Sequence, residues 1–215
     1  MKKGLTELVF ILDRSGSMSG LENDTIGGFN SMIKKQKKEQ GRAVVSTVLF
    51  DDVVEVIHNR TDINKVAPMT NRQYYARGYT ALNDAVGDAI RHIGRVHKYS
   101  EPDKVPEHTL FIITTDGMEN ASRKYTCEDI RKMIHRQKNK YGWEFIFLGA
   151  NIDAIETADS FGISKDRAVN YHSDHNGTLL NYEVLEETIC SVRRNVPLSS
   201  NWKKRIEEDY NRRCR

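Results

Sequence analysis

The stretch Leu8-Val9-Phe10-Ile11-Leu12-Asp13-Arg14-Ser15-Gly16-Ser17 decides how this chain is read. Its first half is a continuous apolar run ending in Asp13, the pattern of a strand buried on both faces. Its second half is a polar loop in which Asp13, Ser15 and Ser17 alternate. In a roughly extended turn such residues project to one side, and Gly16 lets the chain curl round a small ion. A secretory signal is the competing reading of the first twelve residues, which begin with two lysines after Met1. The apolar run is too short for one, Glu7 stands at its edge, and no small-residue cleavage site follows.

Outward from this stretch, strands alternate with helices. Residues 24–38 place Ile26, Phe29, Met32 and Ile33 at helical spacing, with a lysine-rich end and Gly41 as the stop. Ala43–Phe50 reads as a second strand, and Asp51-Asp52 as a tight turn into Val53–His58, a hairpin. A helix over Ala81–His97 carries Leu82, Ala85, Val86, Ala89, Ile90 and Ile93 on one face. Strands are predicted over 108–115, 143–148 and 168–171, and helices over 127–139, 151–160 and 178–194. Repeated β–α units predict an α/β fold: a Rossmann-like three-layer α/β/α sandwich around a mostly parallel sheet.

Composition bounds the function. The 215 residues are 38% hydrophobic and 29% charged, with mean hydropathy −0.63, as in ordinary soluble domains. The net charge of only +3 points to neither nucleic acid nor membrane. No stretch approaches the ~20 apolar residues of a membrane span. Cys127, Cys190 and Cys214 are far apart and odd in number, which fits a reduced, cytoplasmic setting. A phosphate-binding GxxxxGK[ST] loop and an HExxH pair are absent, and Met18 stands where a GxSxG elbow would carry serine. The one candidate boundary lies near Pro197, dividing a domain at 1–195 from a basic tail at 196–215 that docks on it or extends from it. Trp202, Ile206 and Tyr210 give that tail a helical docking face.

In an open parallel sheet, ligands bind outside the carboxyl ends of the strands. Three loops are expected there: Asp13–Ser17, Gly78-Tyr79-Thr80, and Thr115-Asp116-Gly117. Asp13, Ser15, Ser17, Thr80 and Asp116 together offer two carboxylates and three hydroxyls, all hard oxygen donors. This inventory suits Mg²⁺ or Mn²⁺, ahead of Ca²⁺, and argues against zinc or copper. Each piece alone also reads as a turn or a cap, Thr80 as the cap of the helix it precedes. Their joint placement at strand ends is what signals a metal site.

In this order and context the motifs resemble those of a von Willebrand factor type A domain of the intracellular bacterial type. Asp13-Arg14-Ser15-Gly16-Ser17-Met18 is similar to that family's DxSxS motif, Thr80 within Gly78–Leu82 to its second motif, and Asp116 within Thr114–Gly117 to its third. The resemblance spans about residues 5–195. It implies a six-stranded sheet, five strands parallel and one antiparallel at the edge. It also implies a metal-ion-dependent adhesion site, the serines binding the ion directly and the aspartates often through water. Thr80 would join when a partner binds. The implied role is a non-enzymatic protein-binding module gripping a partner's Asp or Glu, in bacterial relatives often beside AAA+ ATPases or stress-response systems. Tyr79 departs from the family, where glycine commonly precedes the threonine.

Further expectations attach to neighbouring residues. Arg14, Met18, Tyr79 and Met118 should ring the ion's open position, Arg14 steering an acidic partner and Met18 being the most apt to fold inward. Asp84 either supports the ligands from behind or balances its helix dipole, and Glu119 is expected in solvent. His172, Asp174 and His175 read as a polar loop before the last helix rather than as a second metal site. Two other function classes compete. One is a Mg²⁺-dependent phosphatase-like enzyme with Asp13 as nucleophile, although Ser15 stands where a haloacid-dehalogenase-like phosphatase carries its second Asp. The other is an RNA-associated module using the basic tail.

Overall fold

Alternation along the first strand sorts the core into two layers. In the computed structural model, which describes residues 2–214, β1 (Lys2–Asp13) buries Leu8, Phe10 and Leu12 on one face and Val9 and Ile11 on the other. β1 starts well before the apolar run because Lys2 pairs with Pro106 across an irregularity in the ladder. The next two strands are β2 (Arg42–Phe50) and β3 (Val54–Asp62), the predicted hairpin. They are followed by β4 (Pro106–Thr115), β5 (Glu144–Gly149) and β6 (Ala168–Asn170). The sheet order is β3-β2-β1-β4-β5-β6, with β3 antiparallel at one edge and every other pairing parallel.

Among the described residues six α-helices cover the sheet: α1 (Glu22–Gln36), α2 (Leu82–Tyr99), α3 (Cys127–Tyr141), α4 (Ala154–Ser160), α5 (His175–Arg193) and α6 (Lys204–Arg213). Phe29 and Met32 of α1, Leu185 and Ile189 of α5 and Ile206 of α6 pack with Leu8, Phe10 and Leu12. Val86 and Ile90 of α2, Ile130 and Ile134 of α3 and Ala158 of α4 pack with Val9 and Ile11 on the opposite side. Local sequence starts and stops the helices. Thr126 and Asp129 form a reciprocal capping box on α3, whose end is closed by Gly142 at φ 65°, and Asp174 caps α5. This is the expected three-layer sandwich. Among the described residues no helix is long and apolar enough to cross a membrane.

The tail uses its predicted face. Trp202 Nε1 donates to the Asp166 carbonyl at 2.9 Å, Ile206 is buried, and the Tyr210 ring stacks on His172 with centroids 4.7 Å apart. Among the described residues its cations are all paired. Lys203 donates to the carbonyls of Lys165 (2.7 Å) and Ala168 (2.8 Å). Arg205 pairs with Glu183 and Glu187, Arg212 with Asp209, and Arg213 with Asp174 and Asp209. Just before the tail, Arg193 is buried against the carbonyls that end α1, and Arg194 pairs with Glu39. Among the described residues the tail is therefore a docked helix whose cations are paired, not a free basic surface.

Strand order also locates the site. From β1 the chain passes to β2 on one side and reaches β4 on the other, so the carboxyl ends of β1 and β4 border the crevice where ligands bind in such sheets.

Candidate metal site

Asp13 ends β1 with its carboxylate buried. Oδ1 accepts the backbone N–H of Ser15 at 2.7 Å, and Oδ2 accepts the Thr115 hydroxyl, from the end of β4, at 2.5 Å. The loop then makes a short 3₁₀ turn over Gly16–Met18. Gly16 is not in the left-handed region, so the curl expected of it comes from this turn. The turn sets Ser15 Oγ 3.0 Å from Ser17 Oγ, and the Ser17 hydroxyl donates to Asp116 Oδ1 at 2.5 Å. The other Asp116 oxygen accepts the Ser173 hydroxyl at 3.1 Å, from the loop before α5.

Thr80 comes from a third loop. Its N–H donates to Asn120 Oδ1 at 2.9 Å and its carbonyl accepts the Asn120 N–H at 3.0 Å. It does not cap α2: the cap position is Ala81, with no side-chain cap bond. Its hydroxyl is left for the site. A Cβ placed on Gly117 would lie 2.9 Å from Thr80 Oγ1, 3.2 Å from Ser17 Oγ and 3.8 Å from Ser15 Oγ. The missing side chain at Gly117 thus opens a hollow walled by the three hydroxyls, with Asp13 and Asp116 bonded to its walls. All five sequence-chosen residues meet there. Ser17, at the mouth, is exposed while the other four are buried.

The electrostatics leave this hollow short of positive charge. Burial pushes the Asp13 carboxyl up to about 6, against the donors Ser15 and Thr115, with a further push from Asp116. Burial likewise raises Asp116, against its bonds from Ser17 and Ser173. Among the described residues no Lys or Arg pairs with either carboxylate. Arg14, between two of the site residues, turns away: its Nε lies 2.9 Å from Asp51 and a terminal nitrogen 2.8 Å from Glu55. A crowd of hydroxyls around two buried, unneutralised carboxylates suits a small divalent cation.

Several expectations change here. Arg14 is 0% exposed and cannot steer a partner. Alternation along the loop sends it to the opposite side from Ser15. Met18 is buried in the core, whereas Tyr79 and Met118 are 70% and 71% exposed and stand at the rim. Glu119 is not in solvent: its carboxylate accepts the N–H groups of Asn83, Ala121 and Ser122 and the Ser122 hydroxyl. Asp84 accepts the N–H groups of Arg123, Lys124 and Tyr125. Both acids anchor the loop after β4 to the start of α2, and Asp84 does so from the first turn of its helix, where a carboxylate also answers the dipole as expected.

His172, Asp174 and His175 separate, His172 to the Tyr210 carbonyl, Asp174 to the α5 N-terminus and Arg213, and His175 to Asp24. Among the described residues no group of three or more His, Cys, Asp or Glu is placed to hold a metal. Sequence reasoning missed Thr115 and Ser173. Thr115 was findable as the neighbour of Asp116, but nothing local marks Ser173.

A scan against protein-family models finds no match, and a search of curated proteins finds none either. Solved structures do match. Proximal thread matrix protein 1 from the mussel byssus aligns at TM-score 0.59 and 18% identity, covering 87% of this chain and 46% of that one. Another structure of that protein, at TM-score 0.58, 17% identity and the same 87% and 46% coverage, is described as having a zinc-occupied MIDAS motif. A von Willebrand factor type A protein from Catenulispora acidiphila aligns at TM-score 0.55 and 13% identity, covering 86% and 42%. The ArnB paralog VWA2 from Sulfolobus acidocaldarius aligns at 0.52 and 18%, covering 87% and 45%. This chain spans less than half the length of each. At these identities the likeness is one of fold: the chain folds as a von Willebrand factor type A domain.

Proposed function

We propose that this chain, built on the von Willebrand factor type A fold, is a non-enzymatic protein-binding module that grips a partner's carboxylate through a divalent ion, Mg²⁺ or Mn²⁺. Asp13, Ser15, Ser17, Thr80 and Asp116 would hold the ion. The observation that carries this reading is the hollow beside Gly117, where three hydroxyls converge next to two buried carboxylates that have no cationic partner among the described residues. The zinc-occupied motif named for the mussel structure supports a metal at the equivalent place in that fold.

Two carboxylates would formally balance the ion's charge, while the three hydroxyls are neutral and weaker donors, so the ion would keep an electrophilic open position for a partner's carboxylate. The chain's own residues do the rest. Thr115 and Ser173 hold the two carboxylates in orientation. Exposed Tyr79 and Met118 offer adaptable contact around the mouth. AAA+ ATPases and stress-response components are the first partners to try.

Titration calorimetry with Mg²⁺ and Mn²⁺ tests the site. Asp13→Ala is expected to abolish binding and Gly117→Ala, which fills the hollow, to weaken it strongly. Wild-type affinity in both variants refutes the assignment. Partner capture should then depend on Mg²⁺ and fail in EDTA. Asp13-dependent hydrolysis of p-nitrophenyl phosphate would instead favour the enzyme reading.

A further inference from the structure

The amino-terminal ends of the strands, at the opposite pole of the sheet from Asp13 and Asp116, carry a groove of about 950 Å³ between the last turns of α2 and α3. Its floor includes Trp143 and the start of β4. Arg91, Arg95 and Lys98 line it from α2 at intervals of four and three, so they form one stripe. Arg136 and Lys140, four apart on α3, line the facing wall. All five are exposed, and none forms an ion pair or side-chain hydrogen bond among the described residues. Three cations outside the groove do pair: Lys104 with Glu101, Lys124 with Asp88 and Lys132 with Glu128. Among the described residues lining the groove the one carboxylate, Glu107, accepts the Gly4 N–H, and His97 is engaged with buried Glu7.

A structural explanation covers part of this. Lys98 and Lys140 lie in the last turns of their helices, where a cation answers the helix dipole. Arg91, Arg95 and Arg136 lie further back, and the dipole gives no reason for them. The aromatics add an independent observation. Tyr99 and Tyr141, 75% and 49% exposed, stand at the ends of the same two helices and line the groove. Every phenylalanine and Trp143 are buried, and the remaining exposed aromatics, Tyr75 and Tyr79, belong to the metal pole. Each groove tyrosine lies beside a cation: Lys98 Nζ is 5.2 Å from the Tyr99 ring centre and Lys140 Nζ 5.5 Å from that of Tyr141.

We propose that this groove binds single-stranded nucleic acid, the five free cations tracking phosphates and Tyr99 and Tyr141 stacking bases. Unpaired cations along a concave track and exposed aromatic faces are the two parts sequence-tolerant single-strand binding requires. Charge alone would serve an acidic peptide or an anionic membrane equally, and the two tyrosines are what favour bases. The site is independent of the metal pole, so it leaves the proposed carboxylate-gripping role untouched. It also differs from the basic tail, whose cations among the described residues are paired with carboxylates of the domain or of the tail itself.

The test is fluorescence anisotropy with a labelled 20-nucleotide oligouridylate, in EDTA, across about 50–200 mM salt. Wild type is expected to bind, with affinity falling steeply as salt rises, by a slope of up to about −0.7 per phosphate contact. Arg91→Glu/Arg95→Glu should remove binding and flatten that slope. Tyr99→Ala/Tyr141→Ala should weaken binding by about fivefold or more while leaving the slope intact, and Lys204→Glu in the tail should change nothing. Circular dichroism verifies folding, and all substituted positions are exposed. Absence of binding, indifference to the tyrosine pair, or equal binding of duplex RNA, polyglutamate or phosphatidylserine vesicles would each overturn the proposal.

Discussion

Asp13 keeps its proton to about pH 6 because burial disfavours the carboxylate more than the Ser15 and Thr115 donors favour it. Its folded value thus lies above the unfolded one, and the folded state binds the proton more tightly between about pH 4 and 6. Metal-free protein should therefore lose stability as pH rises through that window, on the order of 3 kcal/mol from this residue. Metal binding needs the carboxylate, so affinity for Mg²⁺ or Mn²⁺ should rise about tenfold per unit up to about pH 6 and then level off. Calorimetry from pH 5 to 7.5, with thermal melts in EDTA alongside, checks both trends. A pH-independent affinity would remove Asp13 from the ligand set.

At the scale of elements, the loop after β1 is braced by the residue expected to face a partner. Arg14 joins Asp51 of the hairpin turn and Glu55 of β3, and donates to the Gln73 carbonyl at 2.8 Å. Arg77 reaches the same Asp51 oxygen at 2.7 Å, and the Tyr75 ring lies against both guanidinium groups, 5.6 Å from that of Arg14 and 5.0 Å from that of Arg77. Burial alone would raise the Asp51 carboxyl. Bonds from Arg77 and the Val53 N–H, with the charge of Arg14, outweigh it and hold the carboxyl below its ordinary range. Asp51 therefore contributes stability above its unfolded value that is lost as pH falls. Arg14→Ala leaves buried Asp51 with Arg77 as its remaining cation and removes charge-assisted bonds, which should cost about 2–3 kcal/mol, read from urea denaturation. Tyr79→Ala should stay within about 0.5 kcal/mol of wild type yet lower partner affinity. A stable Arg14→Ala protein with impaired partner binding would restore the steering role.

At the scale of the molecule, the sheet separates two poles while the tail closes one flank. Ile206 completes the core beneath α5, Trp202 packs on it, and Lys203 caps the carbonyls around β6. Truncation after Asn195 exposes this surface and should cost at least about 3 kcal/mol for the two apolar side chains. For a domain of this size that lowers Tm by roughly 6–12 °C. Scanning calorimetry of the truncated chain checks it, and an unchanged Tm would show that α6 is only an appendage.

Whatever depends on local pattern could be read from the order of residues. The apolar runs of β1, β4 and β5, the Asp51-Asp52 hairpin, the helix faces and the five oxygen donors were all legible, because side-chain periodicity and strand-end loops are short-range properties. Element ends shifted by a few residues where pairing extended a strand, as Lys2 with Pro106 did for β1. What tertiary structure alone decided was the partner of each polar group. Arg14 reads as a surface cation until β3 and the 73–77 segment close over it. Glu119 reads as solvated until the N-terminus of α2 supplies its donors. Ser173 stands 57 positions from Asp116 in the chain, and only the packing of the loop before α5 brings them together. Free and spent cations look alike in sequence; distance to the nearest carboxylate distinguishes the bound tail from the open groove, and that distance exists only in the folded chain.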